Sequence, residues 1–283
     1  MVSLYNAKRD IIRHYNSPEE LLAAAKLAPE WVRAYADQQS GGTAWAGCSG
    51  EEAVRRLTFG DKRHLPRAEA LIEKMKDEGI FSHGQKIWES SVVGSFPCVP
   101  HAVMGLPDTM YKLCETDLIS TTTPLRIYVN VTMSSMCTTE QVVNRGVAIL
   151  GLVMAMQQVR PTELYAVCIS DPMTNKSCAG TCTRIETTPL DLDRATYMLC
   201  DPSFPRQIGY GMCFHLCNKA RSSYLPWAWG QPSPNELDSI KDAMRFAEDD
   251  LYLPGMFGLN EKYVKDPVGW IKDYLEAHKN SNS

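Results

Sequence analysis

The chain has 283 residues, and 29 lysines and arginines against 33 aspartates and glutamates give a formal net charge of −4. Its 44% hydrophobic and 22% charged residues are typical of a globular protein and exclude a uniformly basic nucleic-acid coat or a charged disordered tail. The N-terminus lacks a signal-peptide pattern, and no apolar stretch approaches the roughly 20 residues that span a bilayer. We therefore expect a cytoplasmic protein that makes no membrane contact.

Capping and turn residues predict a chain of alternating helices and strands. Ser17-Pro18-Glu19-Glu20 combines an N-cap, a first-turn proline and a capping-box glutamate. The predicted elements are helices over 18–28 and 30–39, helices beginning near Ser49 and Pro66, a strand over 125–131, a helix from Thr138 to about Val159, strands over 164–170 and 182–187, a helix from Thr188 or Asp191 to Leu199, a strand over 207–216, and helices over 236–251 and 267–278.

The central part of this pattern predicts the fold class. The β-branched run after Pro124, the long apolar helix and the strand over 164–170 form one strand-helix-strand unit. Residues 91–106 carry no formal charge and several glycines and prolines, which indicates a buried irregular crossing. We predict an α+β protein in which packed helices cover a mixed β-sheet. Its expected domains are an N-terminal helical segment over 1–44, an α/β core over 45–235 and an acidic helical segment over 236–283.

The net charge is distributed unevenly along the chain. Residues 236–283 contain 6 basic and 10 acidic side chains, so this segment accounts for the whole excess of −4. By contrast, residues 202–235 contain no acidic residue, three cationic ones and six aromatic ones. Binding of single-stranded nucleic acid requires cations near the phosphates and flat rings on which bases stack. Residues 204–229 of this stretch offer both kinds of group, and the basic cluster over 55–67 offers cations from a second segment.

The candidate nucleic-acid-binding residues come from these two regions. They are Arg55, Arg56, Lys62, Arg63, Arg67, Arg206, Tyr210, Lys219, Arg221, Tyr224, Trp227 and Trp229. A structural interpretation stays open, because Tyr210 has the spacing of a core residue and the two tryptophans fit a packed linker. Nearby acids also partly balance the 55–67 cluster.

Common catalytic motifs are missing from the sequence, and we expect no enzyme, no cofactor and no catalytic residue. The alternative is an enzyme of unrecognised type acting on a nucleotide or host protein, with Asp191, Asp193 or His215 gathered in a pocket. Another alternative is an interaction protein that binds a host factor. Zinc ligation is weakly indicated by the pairs Cys178/Cys182 and Cys213/Cys217, because zinc sites usually show tighter spacing, and we expect no metal.

Several short motifs together resemble a known family. They are Trp45-Ala46-Gly47, Glu51-Glu52-Ala53, Gly60-Asp61, Val93-Gly94, Pro97, Val99-Pro100, Gly105, Pro107, Met110, Arg145-Gly146 and Pro189-Leu190-Asp191-Leu192-Asp193-Arg194. Over about residues 45–215 the chain resembles a family of mostly uncharacterised bacteriophage and prophage proteins. We expect Arg145 and Arg194 to pair with buried carbonyls or acids.

The chain is also similar in size and character to the single-stranded-DNA-binding RNA polymerase cofactors of lytic phages that carry a virion RNA polymerase. The resemblance implies a phage protein that coats single-stranded DNA in the host cytoplasm. It further implies assistance to transcription by the phage RNA polymerase, a role in replication, and homo-oligomerisation. It assigns no DNA-contacting residue, so the candidate residues depend on charge and aromatic content alone.

Overall fold

In the computed structural model, the described residues form nine strands in two sheets. The model describes residues 4–5, 11–39, 41–79, 87–93, 96–97, 99–114, 123–135, 137–157, 161–170, 179–187, 190–219, 245–247, 249–256, 265–266, 268–273 and 276. The strands are β1 (Leu4–Tyr5), β2 (Ile11–Tyr15), β3 (Ile87–Ser91), β4 (Phe96–Pro97), β5 (Met110–Cys114), β6 (Leu125–Asn130), β7 (Thr162–Ser170), β8 (Ala179–Ile185) and β9 (Leu251–Leu253). The larger sheet has the order β1-β2-β8-β7-β6-β9, and the smaller has the order β3-β5-β4.

Helices connect and cover these strands. They are α1 (Pro18–Leu27), α2 (Gly42–Ala46), α3 (Gly50–Phe59), α4 (Leu65–Asp77), α5 (Val99–Val103), α6 (Thr139–Gln157), α7 (Leu192–Cys200) and α8 (Tyr210–Lys219). The larger sheet is mixed, because β2 and β8 are parallel, β6 and β7 are parallel, and β7 and β8 are antiparallel. The predicted α+β class is therefore confirmed.

Side-chain caps begin four of the predicted helices. Ser17, Ser49 and Asp191 each accept a hydrogen bond from the backbone N–H three residues later, at 3.1–3.3 Å. Thr138 and Gln141 form a reciprocal capping box, with bonds of 3.3 and 2.8 Å. A cap satisfies backbone donors that have no partner within the helix. These local patterns therefore predict where α1, α3, α6 and α7 begin.

The predicted strand-helix-strand unit is also confirmed. β6 and β7 pair in parallel, and α6 connects them. Gly146 lies where α6 packs on α7, because a Cβ there would stand 2.4 Å from the Leu199 carbonyl oxygen. Arg145 donates from Nη2 to the backbone oxygens of Asn130 at 3.0 Å and Pro254 at 2.6 Å. The expected carbonyl pairing of this arginine is thus confirmed.

The predicted strand over 207–216 is wrong. A π-helix over Phe204–Gly209 runs directly into α8. The apolar residues of this segment fit the inner face of a strand as well as that of a helix. In the helix, Tyr210, Cys213 and Leu216 are buried. Such a short apolar run does not distinguish a strand from a buried helix. Close packing adds a second reason, because a Cβ on Gly211 would stand 2.0 Å from the Val32 carbonyl oxygen.

The predicted burial of residues 91–106 is also wrong. This region contains short elements of the smaller sheet and α5. The exposed apolar side chains here are Val92, Val93, Val99, Val103, Met104 and Leu106. Absence of charge does not imply burial, because apolar atoms contribute much of any protein surface. Clustered exposure of this kind is a feature of contact surfaces, and it is compatible with the host-factor alternative.

Both terminal segments contribute strands to the larger sheet. The expected segments over 1–44 and 236–283 were helical and included no strand. β2 pairs in parallel with β8, and β9 pairs in parallel with β6. The predicted helix over 30–39 is two separate 3-10 turns, Glu30–Val32 and Ala36–Gln38. Residues 268–273 are helical as predicted, whereas residues 245–247 and 249–250 are not helical. Pairing between distant strands has no local signal, so sequence patterns missed it.

Candidate nucleic-acid interface

Four of the predicted cations lie on one exposed region around the end of α3 and the start of α4. The side chains of Arg55, Lys62, Arg63 and Arg67 are 55%, 78%, 48% and 51% exposed. Because these fractions are large, phosphate groups can reach all four cations without any change in the fold.

Three other predicted residues are buried. Tyr210 exchanges two hydrogen bonds with the backbone of Met133, accepting from its N–H at 3.0 Å and donating to its carbonyl oxygen at 2.9 Å. Arg206 donates to the Trp45 carbonyl oxygen at 2.6 Å, and its guanidinium carbon lies 5.0 Å from the centre of that indole ring. Arg56 is similarly buried. Burial removes these three side chains from the set that a nucleic acid can contact.

The part of the acid-free stretch that follows α8, residues 220–235, lies outside the described residues. The backbone of Lys219 ends α8. Arg221, Tyr224, Trp227 and Trp229 lie outside the described residues. Their role in nucleic-acid binding stays a prediction.

Phe59 is an exposed aromatic residue that the sequence argument missed. It is the last residue of α3 and is 74% exposed. It stands four residues after Arg55, so both side chains lie on one face of the helix. The buried positions Ala53, Arg56 and Leu57 define the opposite face, and helical spacing from them would have identified Phe59 as exposed. We call Arg55, Phe59, Lys62, Arg63 and Arg67 the 55–67 surface.

The turn after Phe59 is fixed against the start of α7. Gly60 has a φ of 78°, and a Cβ there would stand 2.5 Å from the Cβ of Asp193. The Asp61 N–H donates to the Asp193 carbonyl oxygen at 3.1 Å. Lys62 Nζ lies 3.7 Å from an Asp193 carboxylate oxygen. Only glycine permits both the left-handed backbone and this close approach, so Gly60 positions Phe59 and Lys62.

A buried carboxylate, Asp201, anchors Arg63. Asp201 is 3% exposed and forms ion pairs with Arg63 and, at 3.4 Å, with Arg56. His64 Nε2 lies 3.6 Å from the same carboxylate oxygen. Arg63 also pairs with Asp61 at 2.7 Å. A half-exposed arginine is thereby fixed by two carboxylates at the base of the 55–67 surface.

Electrostatic effects at Asp201 oppose one another. Burial raises the pKa of this carboxyl group, but hydrogen bonds from His64 and Ser203 and the positive charge of Arg63 lower it more. The net result is a pKa below the ordinary value, so the group is ionised at neutral pH. A charged Asp201 keeps Arg63 in place.

Acidic side chains also pair with the outer cations. Glu52 binds both Arg55 and Arg56, and these hydrogen bonds lower the pKa of Glu52 to about 2. Arg67 lies 3.4 Å from Glu140. Any phosphate that binds these arginines competes with the carboxylates.

A comparison with family models finds a match to a domain of unknown function, DUF7192, over residues 5–281. The chain belongs to this family. The match includes the whole 55–67 surface and every described residue except Leu4. No curated protein and no solved structure matches the chain.

In this DUF7192 chain, the described residues do not gather the side chains of the enzyme alternative. Asp191 caps α7 and lines a cleft, whereas Asp193 faces Lys62. His215 lies on α8, and its ring contacts that of Trp31, with centroids 6.2 Å apart. Of the three residues, Asp191 alone lines a described pocket with other titratable groups, whereas Asp193 and His215 lie outside that pocket.

The zinc alternative does not fit the described cysteines of this family member. Cys213 packs in the main core, while Cys182 packs in a separate cluster with Tyr128 and Val167. Cys213 Sγ lies 3.8 Å from Cys168 Sγ, and residues 167 and 168 point to opposite faces of β7. Cys182 and Cys213 therefore lie on opposite faces of the larger sheet and cannot bind one ion. The described residues contain no cluster of three or more His, Cys, Asp or Glu ligands.

None of the described helices has the length and apolar content that crossing a membrane requires.

Proposed function

We propose that this protein binds single-stranded DNA without sequence preference and that the 55–67 surface contacts the strand. The observation that carries the proposal is an exposed phenylalanine, Phe59, among four exposed cations. Stacking of a base on an aromatic ring contributes about 1–3 kcal/mol and tolerates any base. Cations beside the ring replace the counterions of the phosphates. The 55–67 surface combines both types of contact.

The geometry of α3 supports binding of consecutive nucleotides. Arg55 and Phe59 are one helical turn apart, which corresponds to about 6 Å along the axis. Lys62 and Arg63 follow on the turn that Gly60 fixes. A strand running along this surface would meet a cation, a ring and two further cations in succession.

Anchoring of Arg63 supports the same proposal. Its guanidinium is held by Asp61 and Asp201, yet half of the side chain is accessible. A pre-positioned cation loses less conformational freedom on binding than a free surface lysine. Arg63 is therefore suited to be the central phosphate contact.

The biological role that we propose follows the resemblance described from the sequence. The protein would coat single-stranded DNA in the host cytoplasm as a homo-oligomer. It would assist transcription by a phage RNA polymerase and take part in replication. The acidic segment over 236–283 fits this role, since acidic segments can compete for a basic groove or recruit partner proteins.

The test is an anisotropy titration with fluorescent oligo-dT at low and moderate salt, using the wild type and Phe59→Ala. We expect saturable binding that weakens with salt and an approximately tenfold lower affinity for Phe59→Ala, because a stacking contact is lost. Leu27→Ala is the matched control, since Leu27 is a 90% exposed apolar residue at the end of α1 and outside the 55–67 surface. It should bind like the wild type. Absence of binding at low salt, or equal affinities of both variants, would contradict the proposal.

A further inference from the structure

A cleft of about 240 Å³ lies at the carboxyl ends of two parallel strands. β2 ends at Tyr15 and β8 at Ile185, and the two strands pair in register up to Tyr15 and Thr183. The cleft is lined by Asn16, Ser17, Pro18, Glu19, Arg184, Ile185, Glu186, Thr187, Asp191 and Arg194. In sheets with parallel strands, ligands commonly bind outside the carboxyl ends of the strands. This volume holds about eight water molecules, or one small polar ligand.

Arg184 and Glu186 have opposite charges, lie on the rim of the cleft, and carry hydrogen-bonding groups that no described residue uses. Arg184 is 46% exposed and uses Nη2 for an ion pair with Glu163 at 3.0 Å. Its other N–H groups bond no residue in the described part of the chain. Glu186 lies two positions later, and its carboxylate forms no ion pair or hydrogen bond with another described residue. A ligand that fits must therefore offer an anion to Arg184 and a hydrogen-bond donor to Glu186.

The inner wall of the cleft connects it to the 55–67 surface. Arg194 pairs with Glu19 of α1 and donates from Nη2 to the Thr58 carbonyl oxygen at 2.9 Å. Thr58 immediately precedes Phe59. This pairing confirms the expectation for Arg194, and it joins the wall of the cleft to the backbone of the residue before Phe59.

We propose that this cleft binds a nucleotide through a phosphate group at Arg184 and a free sugar hydroxyl at Glu186. A phosphate supplies the anion, and a sugar hydroxyl supplies the donor. Both a free mononucleotide and the 3′ end of a DNA strand carry this chemistry. The strand-end form rests on the proposed function, because the strand would pass from Phe59 into the cleft.

The first experiment measures binding of thymidine 5′-monophosphate by isothermal titration calorimetry, with inorganic phosphate and thymidine as separate probes. The mononucleotide should bind more tightly than either probe, because only the mononucleotide carries both groups. Glu186→Gln and Arg184→Gln should each weaken binding about tenfold, as expected for loss of a charged hydrogen bond. Glu73→Gln is the control, since Glu73 is an exposed glutamate on α4 that does not line the cleft.

The choice of variants separates a loss of ligand binding from a loss of folding stability. Arg184→Gln loses the ion pair with Glu163, so its thermal unfolding is compared with that of the wild type. Glu186→Gln removes no described contact and should unfold like the wild type. Absence of mononucleotide binding, or unchanged affinity in Glu186→Gln, would overturn the inference.

The second experiment distinguishes the two sources of the ligand. Oligo-dT with a 3′-hydroxyl is compared with oligo-dT carrying a 3′-phosphate, which removes the donor and adds charge beside Glu186 and Asp191. A preference for the 3′-hydroxyl supports the strand end, whereas mononucleotide binding without such a preference supports the free nucleotide. Oligo-dT binding without mononucleotide binding overturns the inference and leaves the proposed function intact. Mononucleotide binding without oligo-dT binding overturns the proposed function and leaves the inference of a nucleotide-binding cleft intact.

Discussion

The 55–67 surface and the segment around Arg206 and Tyr210 both combine cations with aromatic rings, but the two regions have opposite environments. The first lies within residues 51–90, which contain eight acidic and eight basic side chains, yet its cations and Phe59 are exposed. The second contains no acidic residue, yet Arg206 and Tyr210 are buried and bonded to backbone groups. Charge counted along the chain thus does not predict accessibility. Helical spacing predicts it better, because it identifies the side of α3 that leaves Phe59 in solvent.

The largest expected effect comes from Asp201→Asn, which tests how the 55–67 surface is anchored. The substitution leaves Arg56 with less compensation in a buried site and releases Arg63, so we expect a loss of about 3–5 kcal/mol in unfolding free energy. Urea denaturation measures it. Asp193→Asn removes a carboxylate that pairs with exposed Lys62, and it should cost less than about 1 kcal/mol. Equal effects of the two variants would contradict the anchoring role.

The same variant has a defined pH signature. Because the folded-state pKa of Asp201 is lowered, its stabilising contribution is present above the unfolded-state pKa of about 3.9 and is lost as the pH falls through the folded-state value. The wild type should therefore lose stability more steeply below about pH 4 than Asp201→Asn. Parallel pH profiles would show that Asp201 contributes nothing to acid sensitivity.

A smaller effect is expected for Tyr210→Phe, which tests the buried segment. The change leaves the Met133 N–H and carbonyl groups without the tyrosine hydroxyl, so unfolding free energy should fall by about 2 kcal/mol. Oligo-dT affinity should be unchanged, since the ring is inaccessible. Tyr35→Phe is the control, because it removes the hydroxyl of a neighbouring, partly buried tyrosine whose ring contacts that of Tyr210. A large loss of DNA affinity at unchanged stability would instead assign Tyr210 to the interface.

The smallest effect is expected for Glu140→Gln, which sharpens the role of the acids. Glu140 is 71% exposed and lies 3.4 Å from Arg67. Its neutralisation frees Arg67 for phosphate, and oligo-dT affinity at low salt should rise about twofold, within the range of a surface ion pair. Glu73→Gln, which removes a pair with Lys76 elsewhere on α4, should not alter affinity. A decrease in affinity for Glu140→Gln would exclude competition between Glu140 and phosphate.

Contacts between residues close in the sequence were predictable, whereas contacts between residues distant in the sequence were not. The caps at Ser17, Ser49 and Thr138 act over three residues, and the β6-α6-β7 unit is continuous in sequence, so pattern reading found them. Pairing of β2 with β8, in contrast, joins residues more than 160 positions apart.

The candidate site follows the same division. Its cations were evident from composition, whereas the anchoring of Arg63 by Asp201 joins the turn before α4 to a residue 138 positions later. Burial of Arg206 by the Trp45 carbonyl similarly spans 161 positions. Neither contact leaves a local pattern, so accessibility of the basic residues became evident only from the fold.

The most direct test of the account is the salt dependence of oligo-dT binding in the wild type and in Lys62→Gln/Arg67→Gln. Each phosphate neutralised on a single strand contributes about −0.7 to the log–log slope, so four cations predict about −3 and the double variant about −1.5. Lys74→Gln/Lys76→Gln, which removes two similarly exposed cations of α4, should keep the wild-type slope. An unchanged slope in Lys62→Gln/Arg67→Gln, or equal slopes in both double variants, would contradict binding through the 55–67 surface.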